Sequence, residues 1–234
     1  MIWARASARV VALALFAGSF TAGTASAAVI PDATGEEFSG NSNLDIRSVE
    51  VTNTANDITF TIGLVGDPVA TNWGKYMIGI DSIAGGAGDG NAWGRPISMS
   101  SGMDYWVGSW LDSGSGAELH RFATTWNRDH TSSDAANPLA LPAVTTGSVS
   151  LTLPLAYLGL ADGDTIQFDV YSAGGGGGDS ANDASSNSAQ ATSTWPGPYD
   201  SGPNVSTYTV VVPEPASLGI LGLAAAGLLA RRRR

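Results

Sequence analysis

The 234-residue chain contains no cysteine. That excludes disulfide staples, thiolate metal sites and a cysteine nucleophile. It has one lysine, Lys75, and two histidines, His120 and His130. Neither histidine lies in a helical metal-binding motif, and no G-x-S-x-G elbow occurs. The many carboxylates always offer pairs, but no motif singles out a catalytic one. Basic charge is scarce where the fold must lie. Between Ala28 and Val212 five basic residues face twenty acidic ones, a net of −15. Such a surface repels phosphate backbones and excludes nucleic acid as a partner. Also missing is any long amphipathic helical pattern. The composition that remains is rich in Gly, Ser, Thr and Asn and suits a secreted β protein, and with no catalytic motif the expectation is a protein that is not an enzyme.

Both ends of the chain read as addresses. Arg5 and Arg9 precede the apolar run 10–16, and Ala25-Ser26-Ala27 forms an A-x-A site. Residues 1–27 therefore read as a secretory signal peptide cut between Ala27 and Ala28. At the other end, Pro213-Glu214-Pro215 precedes an uncharged apolar run, 216–230, and then Arg231, Arg232, Arg233 and Arg234. The prolines block any strand or helix running through them, and Pro215 suits a first helical position. Fifteen helical residues reach about 22 Å, against a hydrocarbon core of about 30 Å. Snorkelling arginine stems and a thinned bilayer close the gap. A buried core helix would not run straight into four arginines, whereas the cytoplasmic flank of a membrane span would.

This order of features, Pro213-Glu214-Pro215, apolar helix, arginine cluster, resembles the PEP-CTERM sorting domain of Gram-negative bacteria that make extracellular polysaccharide. The resemblance covers residues 212–234. It implies that an exosortase, a membrane-embedded protease, recognises the tail and cuts near Pro-Glu-Pro. It also implies a protein held in the inner membrane by the tail before processing and at the cell surface or in the extracellular matrix afterwards.

Residues 28–211 remain for one domain, and their pattern has period two. Ile58, Phe60, Ile62 and Leu64 alternate with Thr59, Thr61 and Gly63. Similar runs occur at 76–80, 149–153 and 166–170, with further strands at 44–51, 105–110, 118–122 and 207–212. Residues 154–160 suit one short helical turn. Eight or nine short strands with polar turns imply an all-β, two-sheet antiparallel sandwich of jelly-roll type. Two long loops interrupt it, 81–102 and about 173–202. The second, with glycines at 174–178 followed by a Ser/Asn/Asp/Ala tract, is expected to be disordered, with an ordered contact only around residues 195–199.

The strand-and-turn order also resembles the family-nine carbohydrate-binding module and its DOMON-like relatives. It is carried by Asp57-Ile58-Thr59-Phe60, Tyr76-Met77-Ile78-Gly79-Ile80-Asp81, Gly102-Met103-Asp104-Tyr105 and Phe168-Asp169-Val170-Tyr171-Ser172. The resemblance implies a β-sandwich that binds sugar or, in some members, haem, for which His120 with Met99 or Met103 would be the axial candidates. A sugar needs exposed aromatic rings beside polar groups. Trp93 beside Arg95 in a glycine-rich loop, and Trp73, are the sugar-binding candidates, with extracellular polysaccharide as the partner. Trp106 and Trp110, four apart on one strand, share a face and read as packing residues. Asp81, Asp89 and Asn91 are candidate oxygen ligands for calcium, as are Asp179, Asn182 and Asp183. The alternative to a sugar-binding module is a structural surface or matrix protein with no specific small ligand. Exposure of the tryptophans separates the two.

Overall fold

A computed structural model of the chain describes residues 27–88 and 90–212. The expected signal peptide up to residue 26, Asp89, the apolar run 216–230 and the sorting residues Pro213, Glu214, Pro215 and Arg231 to Arg234 lie outside the described residues. Among the described residues no helix is long and apolar enough to cross a membrane.

The described residues are all-β. One antiparallel sheet holds β1 (Ala27–Pro31), β2 (Ile46–Asn53), β3 (Asp57–Leu64), β9 (Ala143–Thr145) and β10 (Ser148–Pro154), in the order β1-β2-β3-β10-β9. The other is built on β4 (Lys75–Asp81), β6 (Tyr105–Trp110), β7 (Gly116–Phe122), β8 (Trp126–Thr131) and β11 (Thr165–Ala173). It runs β11-β4-β6-β7-β8, and the free side of β11 takes both β12 (Asp183–Ala184) and β14 (Ser206–Thr209). A short parallel pair, β5 (Ile97–Ser98) and β13 (Tyr199–Asp200), joins the two long loops. The helical turn expected at 154–160 is a 3-10 turn, Leu155–Tyr157.

Alternation sets which face each side chain takes. On β3, Ile58, Phe60, Ile62 and Leu64 are buried, and the threonines between them are half-buried on the other face. Thr59 and Thr61 hydrogen-bond across to Thr152 and Ser150 at 2.9 and 3.0 Å. β2 breaks strict alternation because Arg47 is an extra residue: Ile46 pairs with Leu64 and Ser48 with Gly63. That bulge turns both Ile46 and Val49 inward, three positions apart. The inward faces of the two large sheets share one apolar core, which includes Ile62, Leu151, Ile78, Val107 and Val170. Phe60 and Phe168 meet in it edge to face at 5.3 Å, one from each sheet. Each such side chain contributes about 1.5–3 kcal/mol by burial.

The second sheet is buried on its outer face as well. Met77, Trp106, Tyr171 and Ala173 point away from the first core and form a second apolar cluster with Ile97, Met99, Met103, Ala181, Ala184 and Tyr199. The two long loops supply that cover. Gly79 on β4 leaves room for it, since a Cβ there would press on the Met99 and Met103 sulfurs at 2.8 Å. The expected disorder of 173–202 is therefore wrong. Ala181, Asn182, Asp183 and Ala184 are fully buried. The physical reason is Asp169 on the outer face of β11. It is fully buried, and its carboxylate accepts the hydroxyls of Ser186 and Ser201, both at 2.6 Å, and that of Ser185 at 3.1 Å. A buried carboxylate is costly without donors, and the serine-rich loop provides them.

Candidate functional site

The tryptophan corner lies on the outer face of β6 and β7. Trp106, Gly108 and Trp110 share that face. A Cβ on Gly108 would collide with the Trp93 indole. Glycine there lets the loop tryptophan lie against the strand, where it meets Trp106 at 6.3 Å and Trp110 at 6.4 Å. The Trp93 Nε1–H donates to Glu118 Oε2 at 3.2 Å, the same oxygen that His120 Nε2 contacts at 3.0 Å. Arg128 donates to Glu118 Oε1 at 2.8 Å. Burial alone would push the Glu118 carboxyl up. The combined bonds from His120, Arg128 and Trp93 outweigh it and hold the group below its ordinary value of 4.5.

Arg95 does not stand at a binding surface as expected. It is 6% exposed and donates to the backbone carbonyls of Asp179, at 2.7 Å, and Gly174, at 3.3 Å. Its guanidinium also lies over the Trp93 ring, 5.5 Å from the centroid. The cation is consumed in tying the two long loops together, because loop carbonyls left without partners would be costly. Trp73 lies elsewhere, half-buried against Trp195 at 6.4 Å, which in turn packs on Phe38 at 5.0 Å. The sugar candidates are thus split between two places.

Of the expected calcium ligands Asp81, Asp89 and Asn91, Asp89 lies outside the described residues. Asn91 is buried and its amide is spent on its own turn. It donates to Arg95 O and Ile97 O, and accepts from the Trp93 and Arg95 N–H groups. Asp81 ends β4 opposite Gln167. Its acidic neighbour Asp104 is engaged by Ser82 and Ile83.

A different acidic pocket does form. Asp32, Glu36 and Asp183 each place a carboxylate oxygen within 4.8 Å of the others, the one such acidic group among the described residues. Asp32 and Glu36 stand in the turn after β1, and Asp183 comes from β12. Asp183 is fully buried and accepts from Ile46 N at 2.6 Å and Ala184 N at 2.7 Å. Asp45, 4% exposed, accepts from Gly35 N at 2.8 Å through Oδ2, which fixes its carboxylate against the Asp32–Glu36 turn. Asp32 Oδ2, both Glu36 carboxylate oxygens and Asp45 Oδ1 are buried with no hydrogen-bond partner. Desolvation, with the neighbouring carboxylates adding to it, pushes Asp32 up to about 7 and Asp183 up to about 8. Glu36 and Asp45 are raised for the same reasons. Among the described residues no basic side chain is paired with them. Lys75, Arg121 and Arg128 pair with Asp112, Asp129 and Glu118, and Arg47 lies beside Gly63 and Gly147. Of the four acids, sequence reasoning named only Asp183. The available signal for the others was the polar turn Asp32-Ala33-Thr34-Gly35-Glu36-Glu37, which carries acids on both sides of a glycine at φ +82°.

Compared with protein-family models, residues 211–234 match the PEP-CTERM protein-sorting motif. The tail resemblance is thereby confirmed, and it extends over the tail alone. No curated protein and no solved structure matches the chain. The likeness to the family-nine module and DOMON domains gains no support from these comparisons.

Proposed function

We propose that the chain is an exported, non-catalytic protein of the cell surface or extracellular matrix of a Gram-negative bacterium. In this reading its jelly-roll-like β-sandwich is carried between a removable signal, residues 1–27, and the PEP-CTERM tail, residues 212–234. An exosortase-type membrane protease is the processing partner, and the helix 216–230 is the transient inner-membrane anchor. The match at 211–234 is the observation that carries the reading. The intact mass of the protein recovered outside a host with its exosortase tests it. A species ending near Pro213 is expected, and one retaining Arg231 to Arg234 would make the tail a permanent anchor.

For the folded part, a structural role is the better supported of the two alternatives. Of the six described tryptophans, Trp106 is buried and the other five are half-buried. Each packs on another aromatic ring. They are spent on holding loops to sheets, and an open stacking platform is not among their arrangements. One observation keeps sugar binding as a second reading. Trp93 and Trp110 are only half-buried and pack on each other, and Trp93 bonds Glu118, which also holds Arg128, the kind of combination that sugar C–H faces and hydroxyls use. If that corner binds polysaccharide, Trp93→Ala weakens retention by about 1–3 kcal/mol with the near-ultraviolet spectrum otherwise preserved. Absence of binding by the wild-type protein across a glycan panel leaves the structural role alone.

A further inference from the structure

We propose that Asp32, Glu36 and Asp183, with Asp45 beside them, hold one calcium ion that clips the N-terminal turn to the loop covering the second sheet. This inference is independent of the sorting role. Three carboxylates from two separate stretches of chain converge, Asp45 is fixed against the same turn, and among the described residues none of the four has a basic partner. Proximity of acids alone would be weak ground. The second observation is the state of the oxygens. Asp45 is almost wholly buried, its Oδ2 is fixed by Gly35 N, and its Oδ1 has no donor. Asp32 Oδ2 and both Glu36 oxygens are in the same condition. Orphaned buried oxygens cost about 1–3 kcal/mol each, more when charged, so a native fold keeps them only when something satisfies them.

The chemistry selects the ion. Every donor is a carboxylate oxygen, with no imidazole or thiolate, which suits a hard cation. Calcium binds oxygens at about 2.3–2.6 Å, so ligands on opposite sides of it stand about 4.8 Å apart. Single oxygens from Asp32, Glu36 and Asp183 lie no more than 4.8 Å apart, close enough for one ion to touch all three. Glu36 offers both oxygens, the bidentate mode calcium accepts readily, whereas magnesium demands a tight octahedron and keeps its waters. Asn182, also fully buried, adds one more unpartnered oxygen, Oδ1, beside Asp183 in sequence. Its amide reaches Glu37 at 3.4 Å. The ion would therefore tie the turn after β1 to β12, and so one large sheet to the other. Extracellular modules bind calcium with dissociation constants of about 10⁻⁴–10⁻³ M, matched to the concentrations outside cells.

The full-length chain, purified in detergent and stripped with EGTA, is titrated with calcium chloride in a calorimeter, and its Tm is followed in parallel. The expected result is one equivalent bound and a Tm rise of about 5 °C or more at 10 mM calcium, with a much smaller response to magnesium. Glu36→Gln and Asp32→Asn remove ligands whose side chains make no long-range hydrogen bond. Each should weaken calcium binding at least tenfold while the stripped protein keeps its far-ultraviolet spectrum. No heat and no Tm shift in the folded wild-type chain would overturn the proposal. So would an undiminished calcium response in the Glu36→Gln, Asp32→Asn double variant, which would put the ion elsewhere.

Discussion

Glu118 shows how one side chain in this protein serves several neighbours. It takes the Trp93 indole N–H and His120 on one oxygen and Arg128 on the other. Its carboxyl is held below the ordinary value of 4.5. A depressed folded value means that Glu118 contributes stability above that pH, and that the contribution is lost as the pH falls through the folded value. Glu118→Gln should therefore lower stability at pH 7 by about 1 kcal/mol. The figure is modest because Arg128 is largely exposed. The deficit should shrink as the pH falls below 4.5. Thermal melts of both proteins between pH 7 and pH 3 measure this, and a constant gap across that range would show that the ionised form has no special role. Arg95 teaches the complementary lesson. A lone arginine beside a tryptophan reads as a ligand contact in sequence, yet two backbone carbonyls claim it.

At the scale of elements, the second layer is the feature that departs most from a simple two-sheet reading. Asp169 is its peg, collecting Ser185, Ser186 and Ser201 from the covering loop. Asp169→Ala removes a fully buried carboxylate and strands those hydroxyls. Amide exchange in residues 174–202 should accelerate by an order of magnitude or more, while β2, β3 and β10 stay protected. Equal acceleration everywhere would mean that the loop and sheets open as one unit. The strands around the first core were legible because period-two alternation is local: Phe60, Ile62, Ile78, Leu151 and Phe168 are all buried as expected. β5, β12 and β13 have two residues each and carry no period. The covering loop was misread because glycine and serine favour disorder until a buried acceptor such as Asp169 uses the hydroxyls. The acidic pocket was out of reach for another reason. Ile46, next to Asp45, and Asp183 are 137 positions apart, and only the finished sheets bring them together.

For the whole molecule, charge and addressing fit one picture. A domain of net charge −15 resists self-association by like-charge repulsion, and without cysteine it has no disulfide to lose. The six arginines outside it, Arg5, Arg9 and Arg231 to Arg234, all lie in the two segments read as addresses. Residues 211–234 carry the sorting motif. The central claim is that this tail is an address that is removed. The measurement that tests it most directly is intact mass spectrometry of the protein from the medium and from membranes of a host with its exosortase. The account predicts an extracellular species that begins at Ala28 and ends near Pro213. It also predicts that changing Pro213, Glu214 and Pro215 to alanine keeps an uncut chain in the membrane fraction. Extracellular protein that still carries Arg231 to Arg234 would contradict it.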